Sequence, residues 1–325
     1  MGESFLEQLR ADGHVSTESA NLEALKGGVS SDIFLLKDGD RKSVVKRALP
    51  KLKVEADWFA DVSRNHTERL YIEQVAKTNP SSVPHIMAAG EDYFVMEYLG
   101  DEFSNWKVSM LCGRFSDEWA TMAGTFLGDV HRHSREDHDL AQKFDKMDSF
   151  WQLRIEPYLI ATSEQHPELD SIFVDEAVRL RETRLALVHG DFSPKNILTS
   201  KDRLVVLDCE VANYGDPAFD VAFLLSHLFL KMLYHRNYYA EIRSSVTSFL
   251  EAYGVTSLDF ESRASRLLLM LLMARVDGKS PVEYLTDESS KLFMRSFARL
   301  ELIQNPKGLE KILDEWEAGI KALRV

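Results

Sequence analysis

Over roughly the first hundred positions, apolar residues come in short runs broken by Gly, Asp and Pro. The runs Ile33-Phe34-Leu35-Leu36, Ser43-Val44-Val45-Lys46-Arg47-Ala48 and Tyr93-Phe94-Val95-Met96-Glu97-Tyr98-Leu99 predict strands, with Asp38-Gly39-Asp40 as a hairpin turn. A short amphipathic helix is expected over 4–10 and a longer one over 57–77. Past Gly100 the period changes. Trp119, Met122, Phe126, Leu127 and Val130 fall at helical spacing behind Ser116 or Asp117 as a cap. Further helices are expected over 150–158, 172–183, 221–234, 241–253 (stopped by Gly254) and 267–276; those at 221–234 and 267–276 are apolar enough to be buried. The class is α+β, with sheet first and helix after.

Between the helical stretches lies a different pattern. Two apolar runs, 185–188 and 204–207, are short enough to be strands, and loops at their ends carry Asp191, Asn196 and Asp208. Phosphoryl transfer needs such a set: one carboxylate to orient an attacking hydroxyl, and an amide with a second carboxylate to hold Mg²⁺. The gap of five positions from Asp191 to Asn196 equals that in the kinase catalytic loop. If Asp191, Asp208 and Glu210 converge at ~5 Å, each pair repels by ~3 kcal/mol at an effective dielectric of about 20, so the cluster reads as a metal site.

The run His189-Gly190-Asp191-Phe192-Ser193-Pro194-Lys195-Asn196, then Asp208-Cys209-Glu210 and Gly215-Asp216-Pro217-Ala218-Phe219-Asp220, resembles the aminoglycoside phosphotransferase and choline kinase superfamily. The resemblance implies a bilobal protein-kinase-like fold, with an N-terminal antiparallel sheet lobe over 1–99 and a helical catalytic and substrate lobe over 100–325. It implies ATP and Mg²⁺ as cofactors and a small-molecule hydroxyl as acceptor. Asp191 is then the base, Asn196, Asp208 and Glu210 the metal residues, and Asp216 and Asp220 anchors of the loop.

For the nucleotide, the resemblance points to Gly28, Ser30 and Ser31 in a phosphate-covering hairpin and to Lys46 as the phosphate clamp. Side chains alternate along a strand, so Lys46 faces inward and Arg47 outward. Glu68 and Glu73 compete to pair with Lys46, and the resemblance favours Glu68. Backbone groups at Glu97 and Leu99 would meet the adenine, with Met96 behind it. Lys195 reaches either the γ-phosphate or solvent. His131 and His133 read as polar helix-end residues, and Arg275, Asp277 and Tyr284 read as a helix cap and turn in preference to the lining of a substrate pocket.

Gly190 stands where protein kinases have an arginine, and only eleven residues separate Asp208 from Asp220, too few for an activation segment. The resemblance leaves acceptors of the aminoglycoside, choline, ethanolamine, methylthioribose, sugar and amino-alcohol types all open, as it does a non-catalytic nucleotide-binding module.

Composition narrows the partners. The 325 residues carry a net charge of −13, which disfavours nucleic acid or an anionic membrane and tilts the acceptor towards a cation. The two cysteines, Cys112 and Cys209, make neither a disulfide framework nor a zinc pattern, and Cys209 reads as a small buried filler. The first residues lack an apolar signal core and no apolar run is long enough to span a bilayer, so a cytoplasmic monomer or homodimer is expected.

Overall fold

The computed structural model describes residues 2–25, 31–48, 63–255, 257–306 and 308–323. The expected contacts at Gly28 and Ser30, and the start of the helix at 57–62, lie outside them. The chain forms two compact units. One holds Met1–Phe103 and Val205–Glu210, the other Ser104–Leu204 and Val211–Val325. The division therefore differs from a single cut at 99/100: six residues return to the N-terminal unit, where the Val206 N–H donates to the Ser82 carbonyl at 2.9 Å.

The N-terminal unit is a five-stranded antiparallel sheet in the order β1-β2-β3-β5-β4. Its strands are β1 (Asn21–Ala24), β2 (Ser31–Asp38), β3 (Arg41–Ala48), β4 (Ile86–Ala89) and β5 (Tyr93–Glu97). Alternation along β3 sends Val45 and Arg47 to one face and Val44 and Lys46 to the other. On the first face, helix α1 (Gly2–Ala11) buries Phe5 and Leu9 against Val45, Tyr93 and Val95, and the Arg47 guanidinium lies 4.6 Å from the Phe5 ring centroid. On the second face sits helix α2 (Ser63–Val75), whose residues Arg64, Glu68 and Ile72, one turn apart, are all buried.

The C-terminal unit is helical apart from short strands. Ser116 caps helix Asp117–Ser134 by accepting from the Trp119 N–H. That helix packs on Tyr239–Tyr253 through glycine: a Cβ at Gly124 would come within 2.4 Å of the Phe249 carbonyl. Helix Ala218–Tyr234 is buried nearly all round. The expected helix over 267–276 is longer, Leu258–Asp277, because Ser257 caps it and its first two turns still bury Phe260 and Ala264. The expected helix over 150–158 is instead a π-helical stretch, Trp151–Ile160, with Pro157 inside it. Proline has no N–H for the regular ladder and widens the turn.

Asp38, at the end of β2, accepts from the Ser16 hydroxyl (2.6 Å) and N–H (2.8 Å) and from the Thr17 hydroxyl (2.6 Å) and N–H (2.8 Å). These bonds, the Ser16 hydroxyl first, hold its carboxyl well below the usual carboxylate range. Asp38→Asn should cost about 1–3 kcal/mol at neutral pH, the usual cost of losing charge-assisted bonds. Because the folded-state value is the depressed one, this contribution is present above the unfolded value and fades as pH falls below about 4. Denaturant midpoints of the two proteins should differ at pH 7 and approach each other at pH 3.

Candidate active site

Lys46 is almost wholly buried, and its ammonium lies 2.6 Å from Glu68 Oε2 and 2.8 Å from Asp208 Oδ1. Glu68, not Glu73, is the partner; Glu73 pairs with Arg69 on the exposed side of α2. Arg64, one turn before Glu68, reaches Glu210 at 3.4 Å, and the Cys209 thiol contacts the Glu68 carbonyl at 3.6 Å. Burial alone would discharge Lys46, but the charges of Asp208, Glu68 and Glu210 hold its pKa above the ordinary lysine value. Burial, against the pull of Lys46, pushes the Glu68 carboxyl up. Asp208 is the accessible member, its side chain 38% exposed against 3% for Glu68, and its backbone adopts φ +60°. Non-glycine residues take that left-handed conformation at a cost that functional sites tolerate.

Ser31 opens β2, buried and in register with Ala48. Met96 is buried in β5. At Glu97, the last residue of β5, the backbone N–H donates to the His85 carbonyl at 2.9 Å. Leu99 follows the strand.

In the C-terminal unit, strand Ala186–Val188 pairs antiparallel with Asn213–Gly215 and leads into the loop that carries Asp191. The fully buried Asp220 carboxylate, on helix Ala218–Tyr234, accepts from the His189 N–H at 2.6 Å and the Gly190 N–H at 2.9 Å. His131 adds a third contact to Asp220 at 3.4 Å and meets the Tyr253 hydroxyl at 3.0 Å. His131 is thus a buried bridge in the core, where the sequence suggested a polar helix end. Gly190 is at φ +76°, and a Cβ there would come within 2.6 Å of the Val211 carbonyl. The Asp191 N–H donates to His189 Nδ1 at 3.1 Å, and Asn196 Nδ2 donates to the Asp191 carbonyl at 3.0 Å. Asn105, which caps a short helix, donates to the Lys195 carbonyl at 2.6 Å.

The Asp191 carboxylate is itself buried, and its Oδ2 meets Arg154 at 3.0 Å and Lys195 at 2.9 Å. Lys195 thus takes neither of the expected directions; its helical-turn spacing to Asp191 brings the ammonium back onto the carboxylate. Arg154, on the π-helical stretch, also donates to the Gly190 carbonyl. No motif pointed to it, because its meaning comes from a chain segment 37 positions before Asp191. Among the described residues no three His, Cys, Asp or Glu side chains form a group that could hold a metal ion by themselves, and Lys46, Arg64, Arg154 and Lys195 oppose the carboxylates. Asp216 receives Arg179 at 2.5 Å as well as the Ala218 N–H at 3.0 Å, so it anchors the helix start. Arg275 donates to the Ser280 carbonyl at 2.6 Å, and Asp277 receives Arg295 at 2.7 Å and His166 at 2.9 Å, the cap-and-turn arrangement.

An antiparallel sheet with a buried Lys–Glu pair in one unit, and a helical second unit bearing an Asp–Asn loop, define the protein-kinase-like class of phosphotransferase folds. The chain belongs to the phosphotransferase enzyme family, whose model matches residues 21–259. In sequence it is similar to the methylthioribose kinase of Exiguobacterium sibiricum, 26% identical over 258 residues that make up 69% of this chain and 64% of that protein. The methylthioribose kinase of Bacillus anthracis is 26% identical over 243 residues, 62% of this chain and 58% of that protein. The match thus spans less than two thirds of the length of these relatives. In structure the chain is similar to the gentamicin-APH(2")-IIa complex (TM-score 0.52, 17% identity, 99% of this chain and 96% of that one). It is also similar to choline kinase LicA from Streptococcus pneumoniae (TM-score 0.50, 15%, 94% and 99%) and to the microcompartment-associated aminopropanol kinase (TM-score 0.51, 14%, 97% and 98%). At such identities the structural likeness establishes the fold.

Asp220→Ala should strand two buried N–H groups and cost about 3–5 kcal/mol, the scale for breaking a buried charged network. Thermal melts of purified protein check this; an unchanged Tm would mean the loop is held by other contacts.

Proposed function

We propose that this chain is an ATP- and Mg²⁺-dependent kinase that phosphorylates a hydroxyl of a small molecule. The observation that carries the reading is the buried Lys46 held at 2.6 Å by Glu68 and at 2.8 Å by Asp208, a strand lysine fixed where it can clamp phosphates. Asp191 orients the acceptor hydroxyl and takes its proton. As the hydroxyl oxygen bonds to the γ-phosphorus, the bond to the β–γ bridging oxygen breaks and ADP leaves.

Mg²⁺ suits the donor set. Lys46 and Arg64 oppose Glu68, Asp208 and Glu210, two cations against three carboxylates, which leaves one negative charge in the cluster. Asp208, its accessible carboxylate, offers a hard oxygen, and Asn196 offers an amide oxygen. Mg²⁺ needs only one or two protein oxygens, since water and phosphate complete its octahedron. When bound, it would neutralise charge on the β- and γ-phosphates. Glu210 is the weaker of the proposed metal residues, because Arg64 already faces it.

Three features favour a small acceptor over a protein: the short segment from Asp208 to Asp220, strand Asn213–Gly215 inside it, and about a hundred residues of mostly helical chain beyond. The names of the relatives keep methylthioribose, aminoglycoside, choline and amino alcohol types in view, and family membership does not choose among them. A nucleotide-binding module without activity is the weaker reading, since every catalytic position is filled. No helix among the described residues is long and apolar enough to cross a membrane.

Asp191→Asn should lower turnover by at least ~10²-fold while leaving nucleotide affinity nearly intact, the scale of a positioned general base. Single-turnover rates near wild type would remove Asp191 from that role. Asp208→Ala should abolish Mg²⁺-dependent ATP binding in calorimetric titrations; retained metal dependence would move the metal site elsewhere. With radiolabelled ATP and a metabolite extract, label should enter small molecules, whereas labelled protein bands alone would restore a protein-kinase reading.

A further inference from the structure

Helix Ala218–Tyr234 carries Phe223, His227 and Lys231 at steps of four, so the three share one face. At the first step the Arg154 guanidinium, which grips Asp191, lies 5.9 Å from the Phe223 ring centroid. Phe223 then meets the His227 ring at 5.4 Å and the Tyr158 ring at 5.5 Å. The Tyr158 hydroxyl accepts from Arg275 at 3.3 Å. At the third step the Lys231 ammonium rests 3.6 Å from the Tyr284 ring centroid. A helix rises 1.5 Å per residue, so His227 and Lys231 stand about 6 and 12 Å along the face from Phe223.

Lys231 is 1% exposed, and among the described residues its ammonium has no ion pair and no hydrogen bond; a tyrosine face is its polar support. An ammonium buried without a counter-charge is costly. Two more buried polar atoms nearby, Arg275 Nε and the Tyr284 hydroxyl, likewise have no hydrogen-bond partner among the described residues. Burial, followed by the charges of Arg275, Lys231, Lys195 and Lys107, pushes His227 well below its ordinary pKa. Burial, then Lys107 and Arg275 against Glu283, lowers Lys231 to about 7. Glu283 is itself paired with Lys107, and Asp191 with Arg154 and Lys195. Four cations besides Lys231, namely Arg275, Lys107, Arg154 and Lys195, thus stand against the two carboxylates Glu283 and Asp191, inside a chain whose net charge is −13.

We propose that this face binds the phosphate acceptor and that the acceptor carries an anionic group, a carboxylate or phosphate, which sits at Lys231 and His227 while its hydroxyl lies at Asp191. The proposal rests on Asp191 being the acceptor's base, and it reverses the tilt towards a cationic acceptor that total charge suggested. Total charge reports the whole surface, whereas the acceptor meets only the groups within a Debye length of its own site.

A matched series of four-carbon alcohols tests it: 4-hydroxybutyrate and 4-hydroxybutyl phosphate as anions, 1,4-butanediol as the neutral member and 4-amino-1-butanol as the cation. Each is titrated calorimetrically into protein saturated with a non-hydrolysable MgATP analogue, and each is offered as acceptor in an ADP-release assay. At least one anion should bind tenfold or more tighter than the diol, and the amine weakest. Lys231→Met should erase that preference and raise the KM of the anionic acceptor at least tenfold, with a smaller change in kcat and none in the KM for ATP. His227→Gln gives a second variant with a smaller shift of the same sign, and melting curves confirm that both fold. Equal or tighter binding of the diol or amine, or a preference that survives Lys231→Met, overturns the proposal. A raised KM for ATP in Lys231→Met also overturns it, because the anion would then be a nucleotide phosphate. Anion binding without ADP release supports the site and sinks the kinase reading; ADP release with the amine alone does the reverse.

Discussion

A buried ammonium cannot stay charged without carboxylates, and Lys46 meets that requirement by drawing together three separate parts of the N-terminal unit. Strand β3 supplies the lysine, helix α2 supplies Glu68, and the returning segment Val205–Glu210 supplies Asp208. Without both carboxylates the ammonium would be an uncompensated buried charge, and such charges cost several kcal/mol. The sheet register depends on the same residue. A slip of one position in β3 would turn Lys46 towards Phe5 and Leu9 and put Val45 beside Glu68.

The loop that carries Asp191 in the C-terminal unit obeys the same rule with the signs exchanged. Asp220 is fully buried, and backbone N–H groups of His189 and Gly190, with His131 behind, stabilise it. Those bonds fix the backbone just before Asp191. Asn196 closes the loop from the other end through the Asp191 carbonyl. The geometry therefore leaves little freedom to the carboxylate that would meet an acceptor, and Arg154 and Lys195 orient it further. Positioning of this kind is most of what a protein can contribute to phosphoryl transfer, where bond making demands little covalent chemistry.

Charge is distributed against the average. The chain is acidic overall, yet the helix face running from Phe223 to Lys231 is cationic and apolar. A surface rich in Asp and Glu serves solubility and says nothing about a cleft. Electrostatic arguments from composition therefore reach partners that touch the whole surface, such as nucleic acid, and stop short of a ligand that meets only the side chains of its own site.

Much was legible in the linear pattern. The strands of the first hundred residues, the helix behind Ser116, the buried helix ending at Tyr234 and the glycine stop at Gly254 all follow from period, caps and breakers, which are local properties. So was the inward face of Lys46, because strand alternation is local too. The choice of Glu68 over Glu73 needed helix α2 laid on β3, since the two glutamates differ only in which way they face. The cations that oppose each carboxylate could not be read from the sequence: Arg64 is 146 positions from Glu210, and Arg154 lies on a π-helical stretch that helical periodicity renders as an ordinary helix. His131 looked like a helix-end residue until Tyr253 and Asp220 closed over it. Lys231, in a run of apolar residues, carried no motif. Its meaning comes from Tyr284, 53 positions later, and from the absence of any carboxylate within ion-pair reach among the described residues, which only the packed chain decides.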